Sequence, residues 1–308
     1  MPTSADNIFF DALSGLQSAS VVKYSSSTTL SCANVTFSQA GIVGFGMGSP
    51  LMTLNVYGSA VLLNLTGPPL IVTFLGTGAQ TIQATNIVGG SIEYVVNSQP
   101  LSLTLQSDLT CITITHSGGT FDLNNYNVNC AAFSTSTSTT GTLYLRNSTL
   151  TVTSAFQLQS TTITLVPGNA TVQITGAYGL YLGAPAVNMV VTTGGVTFNS
   201  STTINTLQLA RGYAYQFTPG IVITVVKPIQ QKGSGQTTIG LAGTGSNFTL
   251  SSHAGYQQYL SNVTMNGCSA LGSGTPFLAI GSSSLTKPPS ANACTGWIGP
   301  QAIGFTGD

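Results

Sequence analysis

Residues 142–176, TLYLRNSTLTVTSAFQLQSTTITLVPGNATVQITG, decide the fold expected for this chain. Apolar residues recur at every second position in short bursts, and turn-forming pairs such as Asn-Ser and Pro-Gly separate the bursts. Period two places alternate side chains inside and outside a strand, and Thr, Val and Ile favour strands. The residues expected inside are Leu143, Leu145, Leu150, Val152, Ile163 and Leu165.

Similar bursts, all too short for helices, recur along the chain. They predict an all-β protein, a right-handed parallel β-solenoid (β-helix) with an irregular C-terminal strand and loop group. Its strands are expected to stack about 4.8 Å apart. We assign residues 1–228 to the solenoid domain and residues 229–308 to C-terminal β coils and a capping region, continuous with the solenoid. The Gly- and Ser-rich stretch at 230–246 marks this boundary.

The amino-acid composition limits the kinds of partner that the chain can bind. Charged residues make up 4% of the chain and the formal net charge is zero. Six Lys and Arg residues spread over 308 positions cannot form the basic stripe that nucleic-acid binding needs. No apolar run reaches the length of a membrane helix, and MPTSADNIFF lacks the features of a signal peptide. We therefore expect neither nucleic acid nor a membrane span.

The sequence predicts no catalytic residue, no metal site and no cofactor. β-Solenoid lyases and glycosidases need clustered carboxylates, but of the six acidic residues only Asp6 and Asp11 lie close in sequence. His116 and His253 have polar, Gly- or Ser-flanked contexts, and no GxSxG motif surrounds a serine. Both histidines are expected at the surface. A zinc site is not expected, because the chain has only two His residues and no CxxC motif.

Two polar or aromatic patterns allow more than one interpretation. Asp122 and the asparagines that follow it, in DLNNYNVN, carry oxygen atoms that bind calcium, but the calcium-loop motif is absent. Asparagines at coil corners that bond to the next coil are the favoured interpretation. Tyr213, Tyr215 and Phe217 alternate, so they share one strand face. A packed face is favoured over a platform for sugars.

The five cysteines suggest one disulfide. Cys268 and Cys294 flank the irregular C-terminal loop, and we expect them to pair in a chain outside the reducing cytosol. Cys111 and Cys130 lie about one coil apart and are expected to be stacked neighbours, with a bond between them left open.

Five segments occur in an order that resembles a known family. They are PTSADNIFFDA (2–12), LNVYGSAVLL (54–63), residues 118–153, TLQLARGYAYQFTPGIVITV (206–225), and residues 259–298 with NACTGWI at their end. Together they resemble β-helical modules of bacteriophage virion proteins and bacterial surface proteins, which open with a PTSADN-type strand and close with an NNTGW-type strand. The resemblance implies a structural or adhesive role with no catalytic residues to transfer.

We therefore expect a non-enzymatic virion structural protein of a bacteriophage, an exposed fibre, appendage or decoration subunit with a host-attachment role. The alternative is a bacterial cell-surface adhesin or extracellular filament subunit, and a carbohydrate-active β-helix enzyme is a distant third. The expected location is the virion surface or the extracellular space. Expected partners are other copies of the chain, other virion or surface proteins, and host surface glycans. The N-terminal end or a side face is expected to be buried against another subunit, and the C-terminal end is expected to cap itself.

Overall fold

The computed structural model describes most of the chain. The described residues are 3–10, 21–22, 29–38, 43–45, 52–63, 65–66, 70–85, 92–96, 102–135, 140–158, 162–176, 179–182, 187–253, 256–272, 277–280, 283–285 and 294–298. Every regular element among them is a β-strand. Within these residues no helix is long and apolar enough to cross a membrane.

Short strands follow one another along the described part of the chain. The first seventeen are β1 (Asn7–Phe10), β2 (Val21–Val22), β3 (Thr29–Cys32), β4 (Asn34–Phe37), β5 (Val43–Phe45), β6 (Met52–Val56), β7 (Ala60–Leu63), β8 (Leu65–Thr66), β9 (Leu70–Phe74), β10 (Ala79–Thr85), β11 (Ile92–Val96), β12 (Ser102–Leu105), β13 (Leu109–His116), β14 (Gly119–Asp122), β15 (Val128–Thr135), β16 (Gly141–Tyr144) and β17 (Thr149–Leu158).

The same rhythm continues to the end of the described chain. The remaining strands are β18 (Ile163–Val166), β19 (Thr171–Ile174), β20 (Gly179–Leu182), β21 (Val187–Val191), β22 (Val196–Phe198), β23 (Thr202–Ala210), β24 (Ala214–Phe217), β25 (Val222–Val225), β26 (Gln230–Lys232), β27 (Thr237–Leu241), β28 (Phe248–Ser252), β29 (Gln258–Ser261), β30 (Val263–Met265), β31 (Cys268–Gly272), β32 (Phe277–Ile280), β33 (Ser284–Leu285) and β34 (Trp297–Ile298).

The chain forms two compact units, one of residues 1–151 with 159–170 and the other of residues 152–158 with 171–308. In the first unit, parallel pairing builds one sheet in the order β1-β4-β7-β10-β12-β14-β16-β18. A second parallel series runs through β3, β6, β9, β11, β13 and β15, and a third through β2, β5 and β8. Each strand therefore pairs with the equivalent strand one coil away.

The second unit repeats this arrangement. One parallel series runs through β19, β21, β23, β25, β28 and β31, and another through β20, β22, β24, β27, β30 and β33. A third joins β29, β32 and β34. The chain is thus an all-β parallel β-solenoid, as the sequence predicted. The pairings β23–β26 and β25–β28 connect residues on both sides of position 228, and a domain boundary at that position stays a prediction.

Apolar residues fill the interior of the coils. All six residues predicted from the 142–176 stretch are buried. Because equivalent positions stack, like side chains meet: the Phe198 and Phe217 ring centroids lie 4.6 Å apart, and those of Phe217 and Phe248 lie 4.3 Å apart. Such stacking adds to the free energy that burial of each ring contributes.

Candidate functional site

A column of corners in the first unit follows a 22-residue step. The segments FDLNNYNVNC (121–130), LYLRNSTLTV (143–152) and LVPGNATVQI (165–174) share one pattern of apolar positions around a central asparagine. The position before that asparagine has positive φ in every copy: 50° at Asn124, 60° at Arg146 and 57° at Gly168. The sequence carries this repeat, and aligning the chain on its asparagines at a spacing of 22 would have found it.

The central asparagines form a hydrogen-bonded ladder on the surface. The Asn147 Nδ2 donates to Asn125 Oδ1 at 2.9 Å, and the Asn169 Nδ2 donates to Asn147 Oδ1 at 3.2 Å. Asn127 Oδ1 accepts the backbone N–H of Thr149 at 2.8 Å. These oxygens serve the neighbouring coil, which supports the corner interpretation over the calcium interpretation. Within the described residues no group of three or more His, Cys, Asp or Glu side chains is arranged to hold a metal ion.

An ion pair between Asp122 and Arg146 links the first two of these corners. Asp122 accepts from the Arg146 guanidinium, with Arg146 Nη2 and Asp122 Oδ2 2.6 Å apart, and it also accepts the Asn124 backbone N–H. Burial raises the pKa of Asp122, but the hydrogen bonds from Arg146 and Asn124 outweigh burial, so the pKa lies below its usual value. The Arg146 guanidinium also lies over the Tyr144 ring, 4.7 Å from its centroid. This carboxylate is therefore engaged in holding two coils together.

A cleft opens in the first unit where the corners change length. β10 runs unbroken to Thr85, residues 106–108 make the corner between β12 and β13, and residues 123–127 make the longer corner between β14 and β15. We call the recess beside these corners the corner cleft. It has a volume of about 610 Å³, within the usual range for ligand sites. It is lined by Ala84, Thr85, Gln106, Ser107, Asp108, Thr110 and Tyr126.

Hydrogen bonds hold the frame of the corner cleft in place. The Ser107 hydroxyl accepts the Ala84 N–H at 2.9 Å and donates to the Ala84 carbonyl at 3.0 Å. Asp108 Oδ1 accepts the Asn127 N–H at 2.8 Å, and the Tyr126 N–H donates to the Leu123 carbonyl at 2.8 Å. The two corners on either side of the cleft are thus tied to each other and to β10.

Other polar groups of the corner cleft have no partner among the described residues. They are the hydroxyls of Thr85, Thr110 and Tyr126, the Gln106 amide and Asp108 Oδ2. Thr85, Gln106, Asp108 and Thr110 are exposed and Tyr126 is partly buried. The sequence alone does not reveal this site, because Tyr126 stands there only as one residue of an asparagine-rich corner.

The structure corrects one expectation about the histidines and refines another about the aromatic stripe. His116 is not at the surface: it is fully buried and its ring lies 6.2 Å from that of Phe121, centroid to centroid. His253 is exposed, as predicted. Tyr215 and Phe217 are buried, so packing is confirmed for both, and the Tyr215 hydroxyl donates to the Ala210 carbonyl at 2.8 Å. Tyr213 differs, with 44% of its surface exposed.

The cysteines lie at neighbouring register positions. Cys111 pairs with Cys130 across β13 and β15, so the predicted stacking is confirmed. An isolated parallel bridge joins Ser269 to Thr295, which places Cys268 of β31 beside Cys294. Both are thiols in this structure. Burial, followed by the nearness of Cys294, raises the pKa of Cys268 far above its usual value. The predicted disulfide stays a prediction.

No family model, no curated protein and no solved structure matches this chain.

Proposed function

We propose that this chain is a non-enzymatic structural subunit of a bacteriophage virion, an exposed fibre, appendage or decoration protein with a role in host attachment. The observation that carries the proposal is the in-register stacking of coils. Ladders of asparagine amides on the outside and of phenylalanine rings inside reinforce the parallel main-chain pairing. Repetition of this kind makes a stack of coils stiff, because neighbouring coils support each other, and stiffness suits a surface appendage.

The composition supports exposure outside a cell. Charged residues make up 4% of the chain, and only six Lys and Arg residues offer sites to trypsin-like proteases. The polar surface consists of hydroxyl and amide groups, many of which are engaged in bonds between coils, as at Asn7 and Asn34 or Asn188 and Asn205. A surface held in this way resists local opening, which is what proteolysis requires.

A strand edge supports the proposal that the chain assembles with further copies of itself. Among the described strands, β1 is the end of its sheet. The carbonyls of Asp6 and Phe10 accept N–H groups of Ala33 and Ser38 on the next coil. Since alternate residues of a strand bond to opposite sides, the backbone groups of Asn7 point to the open side. An edge of this kind pairs readily with a strand of another subunit.

The charges favour contact between copies. The unit of residues 1–151 with 159–170 holds five of the six acidic residues and two of the six basic ones. The other unit holds the remaining four basic residues, Arg211, Lys227, Lys232 and Lys287, and one acidic residue. The acidic unit of one copy therefore attracts the basic unit of another, with a strength that falls as salt rises.

Electron microscopy with gold-labelled antibody tests the proposal. Antibody raised against the purified chain is applied both to phage particles whose genome encodes the chain and to the host cells. Label at regular positions on the particle is the expected result. Label on the cell envelope, with bare particles, would instead favour a bacterial surface adhesin or filament. Label on neither would overturn both assignments.

A further inference from the structure

We infer that the corner cleft binds a neutral saccharide of a cell-surface glycan. This inference rests on the proposed attachment function and names its site and ligand class. The walls of the cleft mix polar and apolar groups. Five of the seven described residues that line it carry a polar side chain other than tyrosine, while carbon atoms make up the rest of the lining surface. Such a wall matches a saccharide, which presents both hydroxyl groups and C–H faces.

The cleft also supplies free hydrogen-bonding groups. Ser107 and Asp108 Oδ1 hold the frame, while Gln106 and Thr110 offer an amide and a hydroxyl that bond to no described residue. Together they provide both donors and acceptors, as sugar hydroxyls require. Since these groups are held on corners tied to neighbouring coils, little ordering is needed on binding.

An aromatic ring offers a surface for the C–H face of a sugar. Tyr126 lies in the wall of the corner cleft, and its backbone is fixed by the bond to Leu123. The face of an aromatic ring is negative and apolar, so it accepts the weakly positive C–H face of a sugar ring. In the next two coils the equivalent positions are Ser148 and Ala170, which are both buried. Among these three aligned corners, the ring is therefore particular to the first.

The charge of the cleft selects among saccharides. Of the described residues that line the corner cleft only Asp108 is charged, so no cation from this part of the chain accompanies it there. A carboxylate without a basic partner repels uronic and sialic acids, while its free oxygen accepts hydrogen bonds from neutral sugar hydroxyls. The ligand class is thus a neutral saccharide.

Saturation-transfer NMR and calorimetry on the full chain test this inference. The probes are linear trisaccharides of glucose, galactose, mannose and rhamnose, with trigalacturonate as the acidic comparison. We expect at least one neutral trisaccharide to bind and trigalacturonate to bind at least tenfold more weakly. Binding of trigalacturonate alone, or of no neutral probe, would overturn the assignment.

Variants locate the site. Tyr126→Ala should weaken binding at least tenfold, Gln106→Ala should weaken it several-fold, and Tyr126→Phe should retain most of it because the ring remains. Tyr57→Ala is the matched control: Tyr57 is an exposed tyrosine of the same unit outside the cleft, and its replacement should leave binding unchanged. Asp108→Asn should reduce the ratio of the affinity for the neutral probe to the affinity for trigalacturonate. A purely structural role would not produce this effect.

The outcomes separate this inference from the proposed function. If gold label decorates the particle but Tyr126→Ala and Tyr57→Ala bind the neutral probe equally, the cleft is not the site and the virion assignment stands. If the cleft variants lose binding but the label lies on the host cell, the saccharide site stands and the virion assignment fails. Thermal unfolding of each variant shows whether the fold is retained, and Tyr126→Phe with Gln106→Ala keeps the test decisive if Tyr126→Ala does not fold.

Discussion

At the scale of single residues, His116 is the titratable group that the fold changes most clearly near neutral pH. It ends β13, is fully buried, and lies in register between Val96 and Thr135 of the flanking coils. Burial lowers its pKa to about 4. The fold therefore holds this imidazole in its neutral form under conditions in which an exposed histidine begins to gain a proton.

This residue makes stability depend on pH. The unfolded chain binds a proton at His116 with a pKa of about 6.5, whereas the folded chain resists protonation until about pH 4. Its contribution is complete above pH 6.5, declines as the pH falls, and is gone below about pH 4. The difference is about 3 kcal/mol. Urea unfolding at pH 7 and pH 4 should show a smaller loss for His116→Leu than for the wild type.

His253→Gln is the control for this measurement, because His253 is exposed and is the only other histidine. It should show the same loss of stability between pH 7 and pH 4 as the wild type. An equal loss for His116→Leu and the wild type would show that other groups cause the acid sensitivity.

The close approach of two coils leaves no room for a side chain at Gly176. A Cβ placed there would lie 1.4 Å from the Thr153 carbonyl oxygen, which is backbone and cannot rotate away. Gly176→Ala should therefore lower the free energy of unfolding by about 3 kcal/mol, the upper part of the range for overpacking. Gly243→Ala, where a Cβ meets nothing within 4 Å, should change it by less than about 0.5 kcal/mol. Chemical denaturation of both variants makes the comparison, and equal stabilities would refute the close approach.

At the scale of elements, the long strands β13 and β15 depart from strict alternation of buried and exposed residues. In β13 and β15 the inward residues shift phase part-way: Cys111 is followed by Ile114, and Cys130 by Phe133. Ile112, which simple alternation would place inside with Ile114, is 45% exposed. Alternation therefore predicted that these segments are strands, but the change of phase within each strand decides which face His116 joins.

The asparagine ladder should contribute measurably to stability. Asn147 donates to Asn125 and accepts from Asn169, so Asn147→Ala removes both bonds and leaves their partners to water. We expect a loss of about 1 kcal/mol, because each exposed bond contributes little on its own. Asn129→Ala is the control, since Asn129 is an exposed asparagine outside the ladder. Thermal unfolding in which both variants melt together would contradict a stabilising ladder.

The predicted disulfide between Cys268 and Cys294 lies near the C-terminal end of the described chain. Cys268 on β31 precedes Ser269 and Cys294 precedes Thr295, so the parallel bridge between Ser269 and Thr295 sets the two cysteines side by side. In chain refolded under oxidising conditions we expect a peptide linking the two in unreduced mass spectrometry, and a stabilisation of about 3 kcal/mol over the reduced chain in the chain-entropy model. Cys268→Ser should remove both effects. Recovery of Cys268 as an alkylated thiol after oxidation would contradict the pairing.

At the scale of the whole molecule, the fold was predictable because period two and turn residues are local signals. The burial of the six residues predicted between Leu143 and Leu165 follows from these signals directly. Parallel stacking follows because strands this short are stable only when they pair with neighbours. The corner cleft was not predictable in the same way. It arises because residues 106–108 and 123–127 form corners of different length on adjacent coils, and that difference appears only once the coils are aligned. The 22-residue repeat was hidden because Asn, Arg and Gly all occupy its positive-φ position.

Assembly through the open edge of β1 gives the last prediction. Asn7→Pro and Asn7→Ala both remove the side-chain bond to Asn34, but only proline also removes the N–H that points away from β4. Proline is tolerated at the first residue of an edge strand, so both variants should fold. If copies associate by pairing at this edge, sedimentation velocity should show Asn7→Ala associating like the wild type and Asn7→Pro largely monomeric at the same concentration. Equal association of the two variants would place the contact elsewhere, and a wild type that stays monomeric at every concentration would remove the edge from the assembly altogether.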